Sequence, residues 1–250
     1  MMSEALLNGL KTTAKAVWFT KGSSRRCFIG PYAGLNFHLG TALLSTRMCV
    51  FYQAYESEVS DWLGENVKPG MVFYDIGAHI GIHSLYASKL LGDKGSVFSF
   101  EPWPENFAEL QNNAGINKKG ASITPVNMAL ARQPGPVPME EGRSDGTHHL
   151  APSATPAANG HLVKVQATTL DDFARTHPAP DVMKIDVEGF ELDVLEGGAK
   201  TLAKVHPSII LEHHGEDLRQ KASAFLEGLG YKVEDCRGRQ LVAVHPDRRR

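Results

Sequence analysis

The sequence predicts an α/β protein, in which a mostly parallel sheet is wrapped by helices and finished by an antiparallel hairpin. Two observations support this fold class. From Val72 onward, short apolar runs alternate with stretches of helical periodicity, as strands do when crossover helices join them. The last two runs, Tyr231 to Asp235 and Leu241 to Val244, are joined by a segment too short for a crossover helix, so they must pair antiparallel.

The elements follow in chain order. Strands are predicted at Val72 to Ile76, Val97 to Phe100, Ser122 to Val126, Leu162 to Ala167, Val182 to Val187 and Ser208 to Glu212, before the final hairpin. Helices are predicted from Gly81 to a stop at Gly92, from Pro104 to Gly115, from Phe190 to Leu202 with a break near Gly197, and from Leu218 to Leu229. Residues 134–159, rich in Pro, Gly, Ser and Ala, are expected to form a mobile loop.

Composition and charge exclude several classes of protein. Of the 250 residues 42% are hydrophobic, which is enough for a buried core. Lys and Arg total 26 against 28 Asp and Glu, a net charge of −2 that argues against nucleic-acid binding. Cys27, Cys49 and Cys236 are too widely spaced for a zinc or redox pair, and no apolar stretch is long enough to span a membrane. We therefore expect a cytoplasmic protein without nucleic-acid or membrane partners, and self-association is left open.

The first chemical motif is Asp75-Ile76-Gly77-Ala78-His79-Ile80-Gly81, between a predicted strand and a predicted helix. Gly77 permits a sharp turn and lets a ligand approach bare backbone, and Gly81 permits close packing where the helix begins. His79 stands where a dinucleotide fingerprint has its middle glycine, so the pattern does not fit a pyrophosphate. On its own the motif is also compatible with an ordinary strand-to-helix turn.

Glu101 ends the next predicted strand and is followed by Pro102, which turns the chain away from the sheet. A carboxylate at this place can accept hydrogen bonds from both hydroxyls of a ribose. The alternative is a surface glutamate at a strand end. Together the two motifs favour a nucleoside ligand without a pyrophosphate.

Several segments, in their order and spacing, resemble the FkbM-type methyltransferases, which depend on S-adenosylmethionine. They are Val72 to Ser84, Phe98 to Pro102, Thr169 to Phe173, Met183 to Glu191 and Val194 to Gly197. The resemblance runs from about Phe51 to about Val244. It implies a class I methyltransferase fold, a Rossmann-like three-layer sandwich with a mostly parallel seven-stranded sheet. Residues 69–250 would form this domain, and residues 1–68 an N-terminal extension that serves as acceptor or lid region.

The resemblance also implies where ligands bind. The first motif should line the methionine part of the cofactor, Glu101 the ribose, and Trp103 with the segment after the third strand the adenine. The expected cofactor-binding residues are Asp75, Gly77, Ala78, His79, Gly81, Ser84, Glu101, Pro102, Trp103, Asn127, Met128, Ala129 and Asp186. His79 departs from the asparagine common in the family. Tyr52, Tyr55 and Glu56 hold the place of a Tyr-Glu pair and are expected to cover the methionine end or the acceptor mouth. Packing against the first helix is the alternative.

A second cluster of ionisable groups is expected at the carboxyl edge of the sheet, where open α/β sheets bind ligands. Lys184 and Asp186 should point to one side of their strand, and Glu212-His213-His214 ends the neighbouring strand. A hydroxyl acceptor must lose a proton during methyl transfer, and the candidate bases are Asp186, His213, His214 and Glu212. His148 and His149 in the predicted loop can also approach the acceptor, although a polar pair on a flexible loop is the simpler interpretation.

The leading hypothesis is O-methylation of a hydroxyl on a small molecule, a sugar or a natural product. Alternatives are an N- or protein methyltransferase of the same fold and a non-catalytic cofactor-binding protein. A divalent cation, Mg²⁺ or Mn²⁺, is a further alternative because Asp186, Glu212 and His213 suit it in ligand type, although no spacing motif supports it.

Overall fold

The structure, a computed structural model, describes residues 24–38, 56–141, 148–150 and 162–248. The strands are β1 (Ser24–Arg26), β2 (Asn36–His38), β3 (Val72–Ile76), β4 (Ser96–Phe100), β5 (Ser122–Val126), β6 (Ala129–Leu130), β7 (Gly135–Glu141), β8 (His148–Leu150), β9 (Leu162–Thr168), β10 (Val182–Ile185), β11 (Ser208–Glu212), β12 (Lys232–Asp235) and β13 (Gln240–Val244). The α-helices are α1 (Ser57–Asn66), α2 (Ile82–Leu91), α3 (Pro104–Ile116), α4 (Leu170–Ala174), α5 (Glu191–Gly197), α6 (Ala199–Val205) and α7 (Glu216–Gly228). A 3-10 turn follows α2 at Gly92–Lys94.

Seven strands form the central sheet, in the order β12-β13-β11-β10-β3-β4-β5. The strands β11, β10, β3, β4 and β5 run parallel to one another, whereas β13 is antiparallel to both β11 and β12. The predicted parallel sheet with an antiparallel hairpin is confirmed. Ile185 pairs with Ile76 on one side and Leu211 on the other, and Ile76 pairs with Phe100. This register puts the carboxyl ends of four strands level with one another.

Side chains alternate across the sheet, so each strand contributes to two apolar layers. In β3, Phe73 packs into the layer covered by α1 and α2, whereas Tyr74 and Ile76 pack into the layer covered by α4, α5, α6 and α7. The predicted break at Gly197 is confirmed, because α5 ends there and α6 begins two residues later. No helix in the described ranges is long and apolar enough to cross a bilayer.

A second sheet of four strands, in the order β6-β9-β7-β8, was not predicted. The predicted strand Leu162 to Ala167 exists as β9 but belongs to this sheet. The loop predicted for residues 134–159 is wrong where the structure describes it, because β7 and β8 occupy that part. Pro136 and Pro138 of β7 pair with β9, while β8 pairs only with Met139 and the residues after it. Proline lacks an N–H group, so it is tolerated where one edge of a strand is open.

The N-terminal residues 24–38 form the β1–β2 hairpin, which packs on the helices of the central sheet. Tyr32 is buried, with its hydroxyl 2.6 Å from the Ser60 hydroxyl of α1 and its ring 5.6 Å from that of Tyr86 in α2. Phe37 of β2 is buried in the same apolar layer. Part of the predicted N-terminal extension therefore belongs to the packed core, and the boundary between residues 68 and 69 stays a prediction.

Two asparagines of α3 hold the same hairpin in place. The Asn117 side chain accepts from the Asn36 N–H at 2.8 Å and donates to the Asn36 carbonyl at 2.6 Å, as a neighbouring strand would. Asn113 is fully buried; it accepts from the His38 N–H at 2.6 Å and donates to the Ile80 carbonyl at 2.8 Å. Asn113 therefore links the hairpin directly to the loop between β3 and α2.

Candidate active site

The loop between β3 and α2 turns sharply over the end of β10. Gly77 has a φ of +79°, and a Cβ atom at this position would lie 1.7 Å from the Asp186 carbonyl oxygen. Gly81 has a φ of +87°, and a Cβ there would lie 2.6 Å from Leu110 of α3. His79 also has a positive φ of 50°. The two glycines are therefore required by backbone conformation and close packing, and hydrogen bonds from the loop N–H groups to the end of β4 hold the loop in place.

Glu101 lies directly beside this loop, at the end of β4. Its Oε2 accepts a hydrogen bond from the His79 N–H at 2.8 Å, and its Oε1 accepts one from the Trp103 N–H at 2.9 Å. Burial raises the pKa of the Glu101 carboxyl to about 7, and the two N–H donors and the charge of Lys184 limit the rise. Each oxygen keeps a second lone pair that can accept a further hydrogen bond.

Asp75 lies within β3, just before the Gly77 loop, and is fully buried. Its Oδ2 accepts from the Ser84 hydroxyl at 2.6 Å, and Ser84 also lies 2.7 Å from the Ser99 hydroxyl. The other oxygen, Oδ1, has no hydrogen-bond partner among the described residues, and the Lys184 Nζ is 3.8 Å away. Lys184 therefore compensates the charge of this oxygen without a hydrogen bond.

Lys184 joins the ends of β3 and β10. Its ammonium donates to Asp186 Oδ2 at 3.2 Å and to the Gly77 carbonyl at 3.3 Å. Burial by itself lowers the pKa of Lys184, but Asp186 and Asp75 outweigh it, so the pKa is raised and the ammonium stays charged. The predicted orientation of Lys184 and Asp186 to one side of their strand is therefore found.

The segment predicted to lie beside the adenine connects the central sheet to the small one. Asn127 donates through its side chain to the Glu101 carbonyl at 2.9 Å and to the Pro102 carbonyl at 3.2 Å. Met128 follows, and Ala129 begins β6. Trp103 is buried in the apolar cluster of the small sheet, against which Phe190 also packs. The small sheet therefore borders both the β4 end and the loop after β10.

Four acidic side chains surround His214 where β10 and β11 end. The His214 Nδ1 lies 2.8 Å from Glu191 Oε1, and its Nε2 lies 3.2 Å from Glu188 Oε2. Glu212 and Asp186 oxygens are 3.8 Å and 4.0 Å from the same Nε2. Burial raises the pKa of both Glu188 and Glu212, so these carboxyls hold their protons more strongly than exposed ones.

The other predicted residues are placed less centrally. Glu56, next to α1, has its carboxylate 2.8 Å from the His83 Nε2 and close to Asp186 and Glu212. His213 belongs to neither group of neighbouring donor atoms at this edge, and its N–H donates to the Arg239 carbonyl. His148 and His149 lie in β8, paired with Glu141 and Glu140 of β7. Tyr52 and Tyr55 lie outside the described residues.

The donor atoms do not suit a divalent cation. Among the described residues, two groups of three donor atoms lie within 4.8 Å of one another: Asp186 with Glu188 and His214, and Asp186 with Glu56 and Glu212. Lys184 donates to one oxygen of Asp186, and Arg239 and Gln240 donate to both oxygens of Glu212. Both nitrogens of His214 face carboxylates, whereas a metal-bound histidine must be neutral. We assign no metal ligand here.

Glu191 is a residue of the candidate site that sequence reasoning missed. It begins α5, is fully buried, and holds both His214 and the loop before it. An acidic residue in the first turn of a helix ordinarily points to solvent and interacts with the helix dipole. The one available signal was its position inside the segment Met183 to Glu191.

Comparisons with known proteins identify the family from one match and the fold from others. The model of the FkbM methyltransferase domain matches residues 75–233. The hexuronic acid methyltransferase AglP of Haloferax volcanii is 29% identical over 166 residues, which cover 65% of this chain and 64% of that protein. A methyltransferase FkbM from Methylobacillus flagellatus has a similar solved structure, with a TM-score of 0.52 and 18% identity over 81% of this chain and 54% of that one.

A SAM-dependent O-methyltransferase from Thermotoga maritima also shares the fold, with a TM-score of 0.51 and 13% identity over 78% of this chain and 67% of that one. The predicted class I methyltransferase fold is confirmed. The chain spans less than two thirds of the Haloferax relative and about half of the Methylobacillus one.

Proposed function

The chain belongs to the FkbM methyltransferase family, and on that premise we propose that it transfers the methyl group of S-adenosylmethionine to a hydroxyl oxygen of a sugar or another small molecule. The observation that carries the proposal is the buried Glu101 carboxylate beside the Gly77 loop. A carboxylate at the end of the second parallel strand is placed to accept from ribose hydroxyls.

The residues at the sheet edge fit this cofactor in kind and order. Glu101 would hold the ribose, because each of its oxygens has a lone pair left for a hydroxyl. The Gly77 loop would hold the methionine end. When bound, S-adenosylmethionine supplies an activated methyl group on a sulfonium.

The protein's task in methyl transfer is to place the acceptor oxygen in line with that methyl group and to take its proton. Asp186 suits the second role. It lies level with Gly77 and Glu212 at the sheet edge, and Lys184 keeps one of its oxygens fixed. The Oδ1 atom is 4.0 Å from the His214 Nε2, beyond hydrogen-bond distance, and can receive a proton.

A sugar is the acceptor class that the comparisons favour. The Haloferax relative is a hexuronic acid methyltransferase. In this chain, the exposed side chain of Arg239 lies at the rim of the site and bonds to Glu212. An arginine at this place can attract the carboxylate of a uronic acid.

The cofactor part of the proposal is tested by calorimetry. Glu101→Ala should weaken binding of S-adenosylmethionine by about 1.5–3 kcal/mol, because charge-assisted hydrogen bonds to the ribose are lost. Glu105→Ala, an exposed change in the first turn of α3, is the matched control and should leave the affinity unchanged. Equal affinity in both variants would remove Glu101 from the cofactor site.

The acceptor part needs a turnover assay. The purified chain with S-adenosylmethionine is offered uronic acids, neutral sugars, amines and a protein mixture, and methylated products are identified by mass spectrometry. We expect O-methylated sugars. Methylation of amines or proteins alone would support the N- or protein methyltransferase alternative, and cofactor binding without any product would support the non-catalytic one.

A further inference from the structure

Glu191 makes an unusual set of contacts for the first residue of a helix. It is fully buried, and its Oε1 accepts from the Gly189 N–H at 3.1 Å and from the Val187 N–H at 3.4 Å. The same oxygen lies 2.8 Å from the His214 Nδ1. Its Oε2 is buried without a hydrogen-bond partner among the described residues. A buried carboxylate is costly unless a cation compensates it.

His214 is the group placed to compensate that charge. Its Nδ1 faces Glu191, and its Nε2 lies 3.2 Å from the Glu188 carboxylate. A neutral imidazole donates from one nitrogen only, so it would turn a lone pair towards one of these carboxylates. Only the imidazolium cation presents a proton to both carboxylates, and it also supplies the charge that the buried Glu191 needs. Burial by itself lowers the pKa of His214, but Glu191 and its acidic neighbours outweigh burial and raise the pKa.

From this geometry we infer that Glu191 is a positioning residue, which keeps His214 as a doubly protonated cation between the ends of β10 and β11. His214 then has no free lone pair and is not the base. Its role is to fix the carboxylates around it, and the base is left to Asp186. The inference deepens the proposed function and rests on it, since a base is needed only if a hydroxyl is methylated.

Glu191 also fixes the backbone that carries Asp186. The loop after β10 has two residues of positive φ, Glu188 at 53° and Gly189 at 102°. A non-glycine residue in this conformation is strained and needs its surroundings to hold it. The N–H groups of Val187 and Gly189 donate hydrogen bonds to the Glu191 carboxylate, and these hydrogen bonds restrain the centre of the loop.

Charged groups face His214 from each element around it. Glu191 comes from α5, Asp186 and Glu188 from the loop after β10, and Glu212 from β11. Behind them, Lys184 pairs with Asp186, Arg239 pairs with Glu212, and Glu56 lies close to Asp186 and Glu212. The four carboxylates thus outnumber the two cations behind them, and His214 is favoured in its charged form.

The test is a titration of the full-length protein by nuclear magnetic resonance with ¹⁵N-labelled histidine. The His214→Gln variant assigns the His214 signals among the 11 histidines. In the wild type we expect both ring nitrogens to carry protons at about pH 7, above the usual midpoint of histidine. The Nδ1 proton should exchange slowly with solvent, because Glu191 is fully buried.

Two variants separate Glu191 from the other neighbours. Glu191→Gln keeps an oxygen for the two N–H donors but removes the charge, so the titration midpoint of His214 should fall. Glu188→Gln is the matched control on the same ring; that side chain is 35% exposed, so water screens its charge and the fall should be smaller. An equal or larger fall in Glu188→Gln would overturn the role of Glu191.

The titration of His214 in the wild type tests the inference even if Glu191→Gln does not fold. A neutral His214 at about pH 7, or an Nδ1 proton that exchanges freely, overturns the inference. Calorimetry with S-adenosylmethionine on the same samples addresses the proposed function separately. A protonated His214 in a protein that binds no cofactor would support this inference and contradict the proposed one.

Discussion

The charge of Glu101 depends on pH within the physiological range, which is unusual for a carboxyl group. Burial raises its pKa from the ordinary 4.5 to about 7, while the N–H groups of Trp103 and His79 stabilise the ionised form. A ribose needs the ionised form, because a protonated carboxyl offers fewer acceptor sites to two hydroxyls. Cofactor affinity and protein stability should therefore respond to pH in opposite directions.

We expect the affinity for S-adenosylmethionine to fall as the pH is lowered through about 7, by up to about tenfold per pH unit, because binding must release the Glu101 proton. Calorimetry at several pH values measures this. Glu101→Gln, which cannot ionise, binds more weakly and serves as the reference for the ligand's own titration. A wild-type slope no steeper than that of Glu101→Gln would contradict the prediction.

The Glu101 carboxyl should also make the protein without cofactor less stable at higher pH. Its folded pKa is raised, so its stabilising contribution is fully present below pH 4.5 and is lost as the pH rises through about 7. Urea unfolding of the wild type and Glu101→Gln, compared across this range, isolates the effect. A difference between the two proteins that does not change with pH would show that Glu101 is not buried as described.

Gly77 and Gly81 provide a matched pair of substitutions, because both have positive φ. Alanine at either costs about 1–3 kcal/mol from backbone conformation. At Gly77 the new Cβ would also overlap the Asp186 carbonyl, which is backbone of a central strand end, whereas at Gly81 it meets the mobile end of Leu110. We expect Gly77→Ala to lower the unfolding free energy clearly more than Gly81→Ala, and equal losses would contradict this.

Residues whose position follows from a local pattern could be placed from the sequence, and residues whose position depends on the fold could not. The motif around Gly77 and the strand end at Glu101 pointed to the site directly from the sequence. Glu191 did not, since burial and the contact with His214 arise from the pairing of β10 with β11. The sequence likewise could not separate His213 from His214, which are adjacent and face different surroundings.

Among elements, the strands that alternate with helices were predicted well because each is a short apolar run with a turn at its end. β7 was missed because Pro136 and Pro138 resemble loop residues, and only the pairing with β9 shows that they lie in a strand. β1 and β2 have three residues each, too few for a periodic pattern. Their stability comes from packing on α1, α2 and α3, which a local pattern does not reveal.

Asn113 gives an element-level prediction. Asn113→Ala would leave the buried Ile80 carbonyl and the His38 N–H without partners, at about 1–3 kcal/mol each. Asn112→Ala, exposed on the same helix, is the control and should be neutral or slightly stabilising, because alanine favours helix. Urea unfolding measures both variants. If the two have the same midpoint, Asn113 does not hold the hairpin.

At the scale of the whole molecule, the site exists because the sheet order brings distant segments to one edge. The pairing of β4, β3, β10 and β11 puts Glu101, Gly77, Asp186 and Glu212 in one row. The N-terminal hairpin is hydrogen-bonded to Asn113, which is hydrogen-bonded in turn to the loop that contains Gly77. The hairpin precedes the family match, which begins at residue 75, and it supports both the core and the loop of the site.

The last prediction concerns deletion of residues 1–50. Because Tyr32, Leu35 and Phe37 are buried in one apolar layer of the core, their loss exposes α1 and α2 and should destabilise the whole fold. We expect a markedly lower melting temperature or no folded protein, so lost turnover in this variant would not assign the segment to the acceptor pocket. Deletion of residues 1–23 keeps the described hairpin and is the control. Equal melting temperatures for both deletions would show that the hairpin does not stabilise the core.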